Sequence, residues 1–245
     1  MKLFGKNLAD GDRLEVAGAI VRLRVYRRAR RVSLRLDRTR REIVATAPTP
    51  RLLAEAANFA RERASWIAER LAELPDPAPL RPGMVLDVFG VPVRLEQGAG
   101  RAKWLEPEDG STPRIVAMGE GEGYARAVIL ILKRRALAVL GERTAHYATQ
   151  LGAPTPKVAV ADAKSRWGSC HPGRSGGPGS IRYSWRLALA PFEVADYVAA
   201  HECAHLRELN HGPRFWAHVR DLVGDPRRHR AWLRTHGPQL HAFGR

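Results

Sequence analysis

Two cysteines, Cys170 and Cys203, are all that 245 residues contain, and no CxxC spacing joins them, so a disulfide framework is excluded and both read as free thiols. Long apolar runs are missing as well. The longest aliphatic stretch, Ala127-Val128-Ile129-Leu130-Ile131-Leu132, is far too short to cross a bilayer, and the first twelve residues hold no apolar signal core. These absences predict a cytoplasmic protein without a membrane partner. Methionine occurs only at positions 1, 84 and 118, and no glutamate follows Glu208. Acid is scarce overall: 25 Asp plus Glu against 41 Lys plus Arg leave a formal charge of +16. A field of that sign attracts polyanions and anionic substrates, although an Arg-rich composition alone accounts for part of it. With 44% hydrophobic residues, the chain can bury one core with appendages or two smaller ones.

The densest chemistry lies in His201-Glu202-Cys203-Ala204-His205. On an α-helix, residues four apart differ by about 40° and about 6 Å of rise, so two imidazoles can reach one zinc ion at about 2.0–2.1 Å. Glu202 then points beside the ion, where its carboxylate can take a proton from the attacking water. The approach from Pro191 to Ala200 supports a helix, with Pro in the first turn, acids near the start, and Val194 and Val198 on one apolar stripe. Asn210-His211-Gly212-Pro213 predicts its stop, because Pro cannot continue the hydrogen-bond ladder.

Two histidines need at least one more protein ligand. His211, just past the predicted stop, is the expected third, with His218, Asp221 and Asp225 as weaker candidates. A glutamate from a following helix is excluded, since none exists there. The spacing of His201 and His211 equals that of the long metzincin motif, but Glu208 stands where that motif has Gly and no Met turn is available.

Four ordered segments resemble the YgjP-like metallopeptidases, a bacterial group of predicted zinc-dependent hydrolases. They are Lys164-Ser165-Arg166-Trp167-Gly168-Ser169-Cys170, Trp185-Arg186-Leu187 with Ala190-Pro191, Val198 through His205, and Asn210-His211 with Phe215-Trp216. The resemblance implies His201, His205 and His211 as zinc ligands, Glu202 as general base, and kinship to the SprT-like proteases with their compact HExxH core. Between Cys170 and Ser180 the chain departs from the usual pattern with a Gly/Pro-rich stretch, read as a hairpin tip. Arg166 to Cys170 reads as a short strand whose small residues permit close backbone approach. Beside the zinc helix, its edge would accept an extended peptide. Trp167 reads equally as a core anchor or a substrate contact. Arg166, Trp167, Tyr183 and Arg186 are the expected substrate-binding residues, and Arg166, His171, Tyr183 and Arg186 the candidate oxyanion donors.

The predicted class is α+β. Residues 1–120 form a mostly antiparallel β region with one helix and a Pro-rich connector at 74–83, and residues 121–245 a zincin-like metallopeptidase domain. Alternating patterns predict strands at 21–25 and 32–36, followed by a third at 43–47. Helical spacing covers 50–73 and 124–150, a tight hairpin spans 88–93, strands fall near 157–160 and 181–185, and a closing helix begins at Pro213. No internal repeat is read. Three functions follow: a zinc-dependent hydrolase, foremost a metallopeptidase acting on a peptide or protein; a metal-dependent hydrolase of phosphorylated compounds such as nucleotides; and a nucleic-acid-binding protein whose basic N-terminal sheet does the work around a structural zinc.

Overall fold

The computed structural model describes residues 8–37, 40–74, 76, 78–107, 110–163, 166–173 and 177–244. Lys164 and Ser165 of the motif above, the loop tip at 174–176, Pro75 and Pro77 of the connector, Glu108 and Asp109, and the first seven residues lie outside these. The fold is mixed α+β, with N-terminal sheets followed by helices.

The chain divides into two compact units, Met1–Asp76 and Pro77–Arg245. In the first, strands β1 (Arg13–Val16), β2 (Ala19–Val25), β3 (Ser33–Asp37) and β4 (Glu42–Ala47) form one sheet in the order β1-β2-β4-β3. Alternation works as the sequence predicts: Val21, Leu23, Ile43 and Ala45 are fully buried against Leu53, Ala56, Ala57, Ala60 and Ile67. Those last residues lie on α1 (Leu53–Glu62) and α2 (Ala64–Ala72), preceded by a 3-10 turn at Pro50–Leu52. The helix expected over 50–73 is thus broken at Arg63, whose φ of −103° and ψ of 24° interrupt the ladder.

The second unit opens with β5 (Val85–Val88), β6 (Val91–Gln97), β7 (Lys103–Leu105) and β8 (Arg114–Ala117), ordered β5-β6-β8-β7. This is the topology of the first sheet again, with the same antiparallel, parallel and antiparallel pairings. At a constant offset of 72, Gly11, Leu14, Val16, Gly18, Val21, Arg22 and Leu23 correspond to Gly83, Leu86, Val88, Gly90, Val93, Arg94 and Leu95. Ile43-Val44-Ala45 likewise matches Ile115-Val116-Ala117. Local bonding repeats too: Gly11 N–H donates to Leu23 C=O at 2.9 Å, and Gly83 N–H to Leu95 C=O at 2.7 Å. Both hairpins turn through two residues of positive φ, Ala17-Gly18 and Phe89-Gly90, the geometry of a type I′ turn. The molecule therefore contains an internal repeat that the sequence reading missed, because the shared residues are scattered core and turn positions. The second sheet buries Leu86, Val93, Leu95 and Ile115 in the same core as the C-terminal helices, so it belongs with them on the far side of the Pro-rich connector.

A 30-residue helix, α3 (Gly121–Gln150), follows, burying Tyr124, Val128, Ile131, Leu132, Ala136, Leu140, Thr144 and Tyr147 at three- and four-residue steps. Then come β9 (Lys157–Ala161), β10 (Gly168–His171) and β11 (Ser180–Ser184), in the order β10-β11-β9, which leaves β10 at an edge. After a 3-10 turn at Trp185–Leu189, α4 (Phe192–Ala204) runs through the core, buried on nearly every side. The closing helix is two, α5 (Pro213–Val223) and α6 (Arg227–Ala242), separated at Gly224, whose φ of 71° ends the first.

Candidate metal centre

Helix α4 delivers His201 and Glu202 from its last turn, and His205 caps it with φ −67° and ψ −14°. The helix stops several residues before the Asn210 to Pro213 signal. Its ladder tightens there, Leu206 N–H bonding to Cys203 C=O and Arg207 N–H to Ala204 C=O. Released from the helix, residues 206–212 fold back, and His211 returns over His201 just before Pro213 starts α5.

One ligand atom from each of His201, His205 and His211 lies within 4.8 Å of the others. Nε2 of His211 stands 3.1 Å from Nε2 of His201. Two of the rings are held from behind. Nδ1 of His205 lies 3.0 Å from the Glu208 carbonyl oxygen, and Nδ1 of His201 3.4 Å from the Tyr197 hydroxyl. With Nδ1–H donated in each case, the lone pair falls on Nε2. Fully buried Phe215 forms a shared floor, its ring centroid 4.8, 4.5 and 4.7 Å from those of His201, His205 and His211. Burial, followed by the neighbouring His205, His211 and Arg230, pushes His201 down to about 3, and burial lowers His205 as well. Three imidazoles that bring one ring nitrogen each to a common point are the donor set a divalent transition ion requires, so these residues fit a bound metal.

Glu202 is buried at 6% exposure beside this cluster. Burial raises its carboxyl to about 7, against the opposing charge of Arg166. Its seat is made by Gly168 on β10: a Cβ there would fall 2.5 Å from Cγ and 2.6 Å from Cδ of Glu202. The close approach expected of the small residues in this strand is therefore made to the glutamate itself.

The remaining expected residues separate into two groups. Arg166 is exposed and electrostatically coupled to Glu202, and His171 is exposed at the end of β10. Trp167 stacks on His241 with centroids 4.6 Å apart and meets Gly237 of α6. Tyr183 is fully buried, its hydroxyl 2.9 Å from Thr144 Oγ1. Arg186, 4% exposed, is committed to Asp162, to the Phe243 carbonyl at 3.1 Å and to the Trp185 ring. The Tyr183 hydroxyl is thus engaged by Thr144, while the buried Nε of Arg186 is left without a hydrogen-bond partner among the described residues. His218, Asp221 and Asp225 stay out of the cluster, and Asp225 pairs with Arg227. Cys170 and Cys203 are both free, Cys203 buried on α4. Tyr197, four residues before His201, and the Phe215 floor are not legible in the ligand spacing, and the sequence marks Phe215 only by its place in the Phe215-Trp216 motif.

No helix among the described residues is long and apolar enough to cross a membrane. No curated protein and no solved structure matches the chain. A family model does, the YgjP-like metallopeptidase domain, over residues 30–236, which include the three histidines, Glu202 and the strand against it. The chain therefore belongs to the YgjP-like metallopeptidase family, as its ordered motifs imply.

Proposed function

We propose that this chain is a zinc-dependent peptidase in which His201, His205 and His211 hold the ion and Glu202 is the general base. One observation carries the reading: three imidazole nitrogens within 4.8 Å of one another, beside a buried carboxylate. Zinc bound there would act as a Lewis acid, polarising a carbonyl and lowering the pKa of a water. Glu202 removes a proton from the attacking water and returns it to the leaving amine nitrogen, and a carboxyl raised by burial suits both transfers. Gly168 and Phe215 keep the groups apart from bulk water on two sides. An extended substrate pairs with the free edge of β10, which puts its carbonyls alongside α4 and its side chains alternately up and down. Arg166 is the accessible cation at that edge and the donor this reading assigns to the developing oxyanion.

The test joins composition to turnover. Elemental mass spectrometry should find about one zinc per chain, sharply reduced in His201→Ala and His211→Ala. Glu202→Gln should keep the metal and lose about 10²–10⁴-fold in cleavage of an unstructured protein substrate. Full activity in Glu202→Gln would remove it as the base; a metal-free wild type after zinc incubation would remove the reading altogether.

A further inference from the structure

The internal repeat supplies a comparison within one chain. Residues 22–41 contain ten arginines and a single acid, Asp37, so they hold more than half of the formal +16. The equivalent segment of the second copy, residues 94–113, has only Arg94, Arg101 and Lys103 as basic residues, against Glu96, Glu106, Glu108 and Asp109. Both copies build the same four-stranded order. The arginines are thus not needed to make this sheet, and a chain-wide preference for arginine would have enriched both copies.

Their placement is ordered. Cross-strand register aligns Arg13 of β1, Arg22 of β2, Val44 of β4 and Arg35 of β3 in one row, on the face opposite the buried Val21, Leu23, Ile43 and Ala45. Arg24, exposed, begins the next row with Thr46 and Ser33. Tyr26 follows Arg24 at the strand period of two and is 56% exposed. The β2–β3 connection then adds Arg27, Arg28, Arg30 and Arg31, all exposed. Arg22 is taken by Glu42 at 2.7 Å, and Arg24 reaches Asp10 at 3.3 Å. Among the described residues, Arg13, Arg27, Arg28, Arg30, Arg31 and Arg35 make no ion pair.

We propose that the exposed arginines of this sheet face, Arg13, Arg24 and Arg35, and the β2–β3 connection of the first unit form a binding surface for single-stranded nucleic acid. The unpaired guanidinium groups clustered on the β2–β3 connection, with Arg13 and Arg35 on the sheet, neutralise phosphates, and Tyr26 gives an unstacked base a ring to lie on. An anionic bilayer is the less fitting partner, because the surface has no amphipathic helix to insert and its aromatic ring stands among arginines. This surface is independent of the peptidase reading and stands or falls without it.

The experiment is fluorescence anisotropy of the full-length protein with a labelled 20-nucleotide single strand across a salt series. Six phosphate contacts give a log–log salt slope of roughly −4, equivalent to about a 300-fold loss of affinity from 50 to 200 mM. Replacing Arg27, Arg28, Arg30 and Arg31 together by Ala should flatten the slope by about 3, leaving under about a tenfold loss over that range. Tyr26→Ala should weaken binding roughly tenfold with the slope unchanged, which a purely electrostatic surface would not do. All five positions are exposed, and thermal melts matching wild type establish that the variants fold. Absent binding, an unchanged slope in the quadruple variant, an unchanged affinity in Tyr26→Ala, or binding to phosphatidylserine vesicles in preference to the oligonucleotide would each overturn the proposal.

Discussion

Gly168→Ala is expected to cost about two orders of magnitude in turnover while leaving the metal content unchanged. The added Cβ would lie 2.5 and 2.6 Å from Cγ and Cδ of Glu202. Ordinary carbon contacts begin near ~3.5 Å, so the glutamate must retreat by about 1 Å or β10 must lift away from α4. A displacement of about 1 Å at a reacting group costs roughly 100-fold. Overpacking a filled site adds about 1–3 kcal/mol of destabilisation, a fall of about 2–12 °C in Tm for a chain of this size. The nearest atoms to the new methyl group all belong to Glu202, so zinc stoichiometry should hold. Shortening the base in the double variant Gly168→Ala, Glu202→Asp gives the methyl group room, and the two substitutions should combine less harmfully than their separate losses predict. Steady-state peptide hydrolysis, elemental analysis and a thermal melt on the same preparations decide the matter. Wild-type turnover in Gly168→Ala would show that the carboxylate position does not limit the reaction. Loss of zinc together with activity would show instead that the whole centre had been disturbed.

Removing the Tyr197 hydroxyl with Phe should weaken zinc affinity about 10–100-fold in a chelator competition, because His201 Nδ1 loses the partner that fixes its tautomer; unchanged affinity would mean that the 3.4 Å contact orients nothing. Arg186→Met keeps the packing on Trp185 but removes the charged donor from the Phe243 carbonyl and Asp162, and should lower stability by about 2–3 kcal/mol in urea unfolding. Burial works to raise the Asp162 carboxyl, yet the hydrogen bond and charge of Arg186 prevail and hold it below its ordinary value. A depressed carboxylate contributes stability above the unfolded pKa of about 4 and loses it as pH falls through the folded value, so the difference between wild type and Asp162→Asn should begin to shrink as pH drops below about 4. Because Asp162 is half exposed, that difference should stay under about 1 kcal/mol, and a gap that does not narrow as pH falls below about 4 would contradict the assignment.

Local features of the sequence foretold local features of the structure. Alternation located β2 and β3, β4 followed as their continuation before Pro48, and the His201-to-His205 spacing with the Gly212-Pro213 breaker foretold three histidines at one point. Helix boundaries were less legible. Arg63 divides α1 from α2 without Gly or Pro, whereas Gly224 and Pro226 marked the α5 to α6 break and went unread. What escaped altogether depends on contacts between distant segments: Gly168 against Glu202, Tyr183 closed off by Thr144, and Arg186 drawn inward by Asp162 and Phe243. Residue type gave Tyr183 and Arg186 the look of donors, and only packing reveals that Thr144 engages the Tyr183 hydroxyl and that Asp162 and Phe243 take two of the three Arg186 nitrogens. The repeat was hidden for a related reason, since its copies agree where the sheet needs a turn or a core residue and diverge where the surface is free to change.

Helix α4 ends at Ala204, with His201 in its last turn, His205 at its cap and His211 beyond it. Aligned peptide dipoles leave the equivalent of about half a negative charge at such a terminus, so a cation lodged among the imidazoles gains about 0.3–1 kcal/mol from the backbone alone. On this view, cation retention depends on where the helix stops as well as on which side chains it carries. Prolonging α4 by one turn would carry its negative pole past His205 and consume part of the return that brings His211 over His201.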